Sequence, residues 1–317
     1  MPQIRPTKTQ KTTLVAQEPL EERPPAEPAP PPIRVTALIV SRNRVELLRR
    51  AIEALEKSEE REKLEILVVD NGSTDGSAQL ESEFPNARFI RLPRNFGLTK
   101  AMNIAVRAST GEFVLFLHED TEVSPGTARL LAAVLESQSD VGATSPLLVS
   151  EDGTPAPQLE ALPSPQHTEI HWRAADPARG DQTAEYSRGA ALMMRKQSLT
   201  AMRQIDERYG NFGSDAEFCF QVARAGKRVL LVTAASAIHH CPSETDPTLR
   251  ARSSADRKLG MATYLKKHHG FMSGVVFRIS TSLAALGAVL TFRDFRYHWA
   301  EMTMLWSGQK IDGTQRD

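Results

Sequence analysis

The sequence is short of cysteine, of aromatic residues and of net charge. Only Cys219 and Cys241 occur among 317 residues, and they form no Cys-x-x-Cys pair, so neither a thiolate metal site nor a disulfide framework is implied. Buried or idle thiols in a reducing compartment are the expectation. Basic and acidic residues number 39 each, which implies no polyanion-binding surface and makes nucleic acid an unexpected partner. The start of the chain has no apolar stretch of signal-peptide type, so a cytoplasmic location is expected. Two phosphate-binding fingerprints are missing as well. The first strand runs into Val40-Ser41-Arg42-Asn43 instead of Gly-x-Gly-x-x-Gly, which argues against a dinucleotide site. No Gly-x-x-x-x-Gly-Lys-[Ser/Thr] occurs, which argues against a P-loop.

What is present divides into three parts: residues 1–33, 34–245 and 246–317. The first ends in "EERPPAEPAPPPIR", too poor in large apolar residues to offset the entropy of ordering, and is expected to be a disordered or polyproline-like tail. From Arg34 the chain alternates. "VTALIV", "LEILVV", "ARFIRL" and "EFVLFL" read as buried strands, with "VELLRRAIEALEKS" and "LTKAMNIAVRAS" as helices between them. That alternation predicts an α/β, doubly wound, mostly parallel central sheet with flanking helices over 34–123. In 124–245, Ser124 and Pro125 are placed to start a helix as N-cap and first residue. "SEDGTPAPQLEALPSPQH" reads as loop, "GAALMMRK" as strand, "SDAEFCFQVARAG" as helix, and "KRVLLVTAASAIHH" as strand, turn, strand. Residues 246–317 read as a helical extension.

Chemistry-bearing residues collect where strands end, and the ends of parallel strands open onto the crevice that ligands occupy. Asp70 closes the second strand ahead of Asn71-Gly72-Ser73, either as a turn former or as an acceptor for a nucleoside N–H or hydroxyl. His118, Glu119 and Asp120 close the fourth. A carboxylate there suits Mg2+ or Mn2+, and imidazole suits Mn2+ better than Mg2+; the bland alternative is a solvated loop. His239 and His240 end a further strand, and side-chain alternation lets only one of them face a given site. Ser214-Asp215-Ala216-Glu217 fits a capping box, with Ser214 as N-cap and Glu217 reaching back. Asp215 is then held at a helix mouth, favoured by the dipole and available as a base. Arg94 and Lys100, following the third strand, could neutralise phosphate or be surface charges.

Taken in order, "VTALIVSRNR", "LEILVVDNGSTDGS", "RNFGLTKAMNIA" and "GEFVLFLHEDTEV" resemble the nucleotide-binding half of family 2 glycosyltransferases. "SRGAALMMRKQSL" and "IDERYGNFGSDAEFCFQVARAGKRVLLVTAASAIHH" resemble the acceptor half of the same family, in its rhamnosyl- and galactofuranosyl-transferase branch. The resemblance implies a GT-A fold, with a donor half over 34–123 and an acceptor half over 124–245. It further implies inverting transfer of a sugar from a nucleoside diphosphate sugar to a glycan or lipid-linked acceptor. The family's Asp-x-Asp motif falls on His118-Glu119-Asp120, its first Asp replaced by His. Asp120, His239 and His118 are thereby implied as ligands of a divalent metal, Mn2+ or Mg2+. The Glu-Asp-x-Asp motif falls on Ser214 to Glu217 and retains its base as Asp215. Val40, Ser41, Arg42, Asn43, Asp70, Arg94, Asn95, Lys100, Asn103, Glu119 and Gly189 are implied to bind the donor.

Two alternatives stand beside this one: a sugar-phosphate nucleotidyltransferase, which would need a Gly-rich basic loop after the first strand, and a non-catalytic sugar-nucleotide or glycan-binding protein. The C-terminal part adds "ISTSLAALGAVLTF", an apolar run shorter than the ~20 residues that span a bilayer. It is flanked by Arg278, Arg293 and Arg296 and preceded by Lys266-Lys267-His268-His269. The run reads either as a helix lying on the cytoplasmic face of the cell membrane or as an amphipathic helix packed on the domain.

Overall fold

The computed structural model describes residues 32–203, 205–241, 245–291 and 294–311. Residues 1–31 of the expected Pro-rich tail, and Arg293, lie outside the described residues. Strand and helix alternate as β1 (Val35–Ser41), α1 (Val45–Glu56), β2 (Leu64–Asp70), α2 (Leu80–Glu83), β3 (Ala87–Arg91), α3 (Leu98–Ala108) and β4 (Phe113–His118). β5 (Thr121–Val123), α4 (Thr127–Ser137), β6 (Val141–Val149), β7 (Pro157–Glu160), β8 (Arg173–Ala174), β9 (Gln182–Ala184) and β10 (Tyr186–Ser187) follow. β11 (Ala191–Arg195), α5 (Lys196–Ala201), α6 (Ser214–Arg224) and β12 (Arg228–His239) complete the sheet region. α7 (Pro247–His268), α8 (Phe271–Leu290) and α9 (Phe295–Ser307) close the chain.

The main sheet runs β3-β2-β1-β4-β11-β6-β12-β5, with β9 also on β12. β1 to β4 are mutually parallel, as are β6 and β12, while β11 is antiparallel between β4 and β6. The mostly parallel doubly wound sheet read from the sequence is therefore present. Its strands are apolar on both sides because both sides are covered. On one face Ala37, Ile39, Ile66, Val68 and Leu115 pack with Leu48, Ile52 and Leu55 of α1 and Leu131 and Leu135 of α4. On the other, Leu38, Leu67, Val69, Val114 and Phe116 pack with Ala101 and Ala105 of α3, Phe218 and Val222 of α6, and Tyr264 of α7. Cys219 is buried in that second layer, where desolvation pushes its thiol up to about 12; such a thiol stays protonated and inert.

Several local expectations are corrected. α4 starts at Thr127 with Gly126 before it, because Ser124 uses its hydroxyl on Ser236 Oγ at 2.8 Å. The Pro-rich stretch read as loop contains β7, which pairs with β8 and β10 in a small antiparallel sheet. β12 is a single strand whose register shifts between Val232 and Ser236, so the small residues there make a bulge and not a turn. The helix carrying the C-terminal apolar run begins at Phe271 and reaches 20 residues, long and apolar enough by length and composition to cross a membrane.

The capping box at α6 does not form. Gly213, with φ at 100°, precedes the helix, and Ser214 is its first residue. Glu217 instead lies buried at the junction of α6 and α7. Its Oε2 accepts from the Tyr209 hydroxyl at 2.9 Å and faces His268 Nε2 at 2.7 Å; its Oε1 accepts from Lys267 Nζ at 2.8 Å and Gln221 Nε2 at 2.7 Å. Burial works against the charge, but bonds from Lys267, Gln221 and His268 hold the carboxyl below its ordinary 4.5. A lowered folded pKa contributes stability that is complete above the unfolded value and is lost as pH falls through the folded one. Glu217→Gln is expected to cost about 2 kcal/mol at neutral pH, since it weakens the charge-assisted bonds to Lys267 and His268 while Lys267 keeps Asp206 at 2.7 Å. Its unfolding free energy should also depend less steeply on pH between neutrality and acid than the parent's. Denaturant titrations at several pH values check both.

Candidate active site

The register of the parallel strands sets the site's floor. Ser41 lies beside Asp70, and Val40 is paired with both Val69 and His118, so three strands end on one line. The loops beyond them are bonded to one another. The Asn43 N–H donates to Ser73 Oγ at 3.0 Å, Asn43 Oδ1 accepts from the Thr74 N–H at 2.7 Å, and Asp70 Oδ1 accepts from the Ser73 N–H at 2.9 Å. Gly72, at φ 76°, lets the third loop come close: a Cβ there would lie 2.4 Å from the Arg94 carbonyl carbon. Asn71 Oδ1 accepts from the Phe96 N–H at 2.8 Å, and Asn95 Oδ1 accepts from Asn71 Nδ2 at 3.1 Å and from the Gly97 N–H at 2.8 Å. Asn95 Oδ1 is therefore spent on holding the loops together. Arg94 and Lys100 are exposed, with their cationic groups each 5.2 Å from the Phe96 ring centroid.

Asn103 does not belong to this surface chemically. It is buried, its Oδ1 accepts from the Ile205 N–H at 2.8 Å, and its Nδ2 donates to the Ile205 carbonyl at 2.9 Å and to Glu207 Oε1 at 3.1 Å. Its carboxamide fastens the 205–207 segment to α3, which leaves it nothing to offer a donor.

At the end of β4 the chain turns sharply into β5, and β12 pairs with β5 so that His239 lies opposite Thr121. His118, Asp120 and His239 are thereby brought together, with one ligand atom from each within 4.8 Å of the others. Asp120 Oδ1 is 3.4 Å from His239 Nε2 and 3.9 Å from His118 Nδ1. Desolvation opposes its ionisation, but the bond and charge of His239, with His118, lower it to about 2. Two imidazoles and a carboxylate at this spacing suit one divalent cation. Glu119 between them is pushed above the usual carboxyl range by burial, partly offset by His118. Alternation works as expected at the end of β12: His239 faces Asp120, while His240 lies between Glu122 at 2.7 Å and Glu151 at 2.6 Å.

Asp215 joins this group through β11. The His118 N–H donates to the Ala190 carbonyl at 2.9 Å, and the preceding Gly189 N–H donates to Asp215 Oδ2 at 3.3 Å. A Cβ on Gly189 would lie 2.8 Å from that of Asp215, so the contact needs glycine. Asp215 Oδ1 also accepts from the Ala216 N–H at 2.9 Å. The candidate cation site and the candidate base thus flank the start of one strand. A separate cavity of about 600 Å3, lined in part by Met194, Leu199, Phe218 and Val222, contains none of the candidate residues.

The sequence model for glycosyl transferase family 2 matches residues 36–200, more than half of the chain. The chain belongs to that family. This glycosyltransferase is 24% identical over 252 residues to the N-acetylglucosaminyl-diphospho-decaprenol L-rhamnosyltransferase of Mycobacterium tuberculosis, covering 71% of this chain and 81% of the relative. It is 28% identical over 205 residues to an N-acetylglucosaminyltransferase of Mesorhizobium japonicum, covering 59% and 46%. Its fold matches that of the mannosyltransferase PcManGT of Pyrobaculum calidifontis in complex with GDP-Man and Mn2+, at TM-score 0.53 and 16% identity over 88% of this chain and 87% of that one. It also matches GalNAc-T7 with UDP, GalNAc and Mn2+, at TM-score 0.56 and 15% identity over 78% and 55%. The fold is GT-A, and the protein is a nucleotide-sugar glycosyltransferase.

The sequence reading of the glycosyltransferase left out three side chains on the Asp215 flank. Tyr186 is buried close to Asp215, and burial together with that carboxylate raises its hydroxyl well above the ordinary range; its ring packs 4.7 Å from that of Trp172, and the Arg188 guanidinium lies 5.7 Å from the Trp172 ring centroid. Arg188 was within reach of reading, as the neighbour of Gly189. Trp172 sits in an irregular segment with no periodic signal. Gly189→Ala is expected to displace Asp215 and lower turnover by about 100-fold; steady-state kinetics together with donor titration, in which affinity is retained, checks this. Asp120→Ala should weaken Mn2+ binding by at least roughly 100-fold, since losing even an outer partner of a ligand costs 10–100-fold. Calorimetric titration of the protein with Mn2+ reads that loss.

Proposed function

We propose that the enzyme is an inverting glycosyltransferase that moves a sugar from a nucleoside diphosphate to a hydroxyl of a lipid-linked glycan in cell-surface polysaccharide assembly. One observation carries the reading: the His118–Asp120–His239 group and Asp215 are joined through Ala190 and Gly189 at the start of β11. Residues 34–123 would bind the donor and 124–245 the acceptor, with 246–317 as a helical extension. The lipid-linked acceptor follows the name of the mycobacterial relative. It would keep the enzyme cytoplasmic and peripheral on the inner face of the cell membrane.

Asp70 keeps Oδ2 without a partner among the described residues and is the proposed acceptor for a nucleoside N–H; the Val40–Asn43 segment lies beside it along β1. Arg94 and Lys100 reach toward the diphosphate and balance its charge. His118, Asp120 and His239 would hold a divalent cation, with Mn2+ preferred over Mg2+ because two of the three donors are imidazole. Bound there, it would supply Lewis-acid stabilisation of the leaving diphosphate. Asp215 takes the proton of the acceptor hydroxyl as that oxygen attacks the anomeric carbon opposite the leaving group, which inverts the centre. Its carboxylate is aimed by the Gly189 and Ala216 N–H groups.

Asp215→Asn keeps the size of the side chain and one accepting oxygen but removes the base. Donor affinity should be unchanged while transfer falls by about 100- to 10,000-fold. Parent-like turnover of this variant with purified nucleotide sugar and acceptor would reject the assigned role.

A further inference from the structure

We infer that the outward face of α8 is a lipid-docking surface on which this helix lies flat in the interface of an anionic bilayer. The inference deepens the lipid-linked acceptor reading and rests on it. Met272, Val276, Ile279, Leu283, Leu286 and Leu290 are between 37% and 69% exposed, and they recur every three or four residues along one side of the helix. Between Phe271 and Leu290 the sole charged residue is Arg278. Its guanidinium is turned inward, donating to the Leu305 carbonyl at 3.0 Å and the Trp306 carbonyl at 2.9 Å. α9, packed against α8, exposes Trp299 at 49% and Trp306 at 75%, the residue type that settles at membrane–water interfaces. A soluble monomer rarely leaves an apolar patch of this kind uncovered.

The opposite side of α8 decides its orientation. Gly274, Ser282, Ala285 and Val289 are buried, and a Cβ on Gly274 would lie 2.4 Å from the Ala262 carbonyl oxygen of α7. α7 carries exposed Arg250, Arg257 and Lys266. A spanning α8 would drag those charges into hydrocarbon, so a helix with the composition of a span is held in the plane instead. The exposed charges on the three helices are Arg250, Arg257, Lys266 and Arg296 against Asp246 and Asp294, an excess that suits anionic headgroups. Lys266 Nζ sits 4.6 Å from the Phe271 ring centroid at the end of the stripe, placed to reach headgroups past the apolar edge. A second copy is the weaker occupant, because the positions flanking the stripe are Ser280, Ala284 and Gly287 and lack the charges that pair helices. Lys267 and His268, in the last turn of α7, grip Glu217 of α6, so the docked surface is tied to the helix that bears Asp215.

The test uses the full chain, co-sedimented with vesicles of phosphatidylglycerol and phosphatidylcholine or of phosphatidylcholine alone. The parent should sediment with the anionic vesicles, release at high salt and be extracted by alkaline carbonate. Ile279→Asp/Leu283→Asp and the milder Leu283→Ser should melt like the parent, with binding reduced at least ten-fold in the first and measurably in the second. Several results would overturn the proposal: no parental binding, parent-like binding by the double variant, resistance to carbonate extraction, or a lipid-free dimer that the double variant dissolves. Mn2+-dependent nucleotide-sugar binding, measured without lipid on the same samples, separates failure of the docking surface from failure of the glycosyltransferase reading.

Discussion

The contact between the end of β4 and the start of β11 brings the candidate cation site and the candidate base together. β4 is the last of four parallel strands, and β11 runs against it. At that reversal the His118 N–H meets the Ala190 carbonyl, and Gly189 leaves room for Asp215. A parallel neighbour would have placed its opposite end there. Because β11 is antiparallel, its first residues arrive at the same edge where the parallel strands finish, and α6 is drawn to that edge by the Gly189–Asp215 contact.

The loops along the same edge are bonded to one another. The loops after β1, β2 and β3 exchange hydrogen bonds through Asn43, Asp70, Asn71 and Asn95. The N–H groups of Asn43, Ser73, Thr74, Phe96 and Gly97 are thus satisfied within the protein. Glu217 performs the corresponding service behind Asp215. A carboxylate that reads as a helix cap is spent instead on fastening α7, which is why the C-terminal helices form part of the structural support of the site.

The alternation of buried strands and amphipathic helices was enough to read the doubly wound sheet, since period and burial are local properties. So were the strand ends near Asp70 and Asp120, and the fact that His239 and His240 face different neighbours. Local logic failed where a side chain had a distant claimant. Ser124 is claimed by Ser236, Glu217 by α7, and Asn103 by the 205–207 backbone. The turn expected inside β12 is a bulge because the strand keeps β6 as its neighbour on both sides of the irregularity. Tyr186 and Trp172 escaped notice since nothing in their own segments marks them.

By itself the sequence determined the family, the α/β class, and which residue types stand at the strand ends, because each of these depends on spacing along the chain. It also determined that the first acidic residue of the family's motif is a histidine here. Only the tertiary structure decided that His118, Asp120 and His239 converge, that Asp215 stands one strand away, and that α8 turns its apolar side outward. Those outcomes depend on strand order, on one antiparallel pairing and on which helix claims which face, and all three are fixed by contacts between residues far apart in sequence.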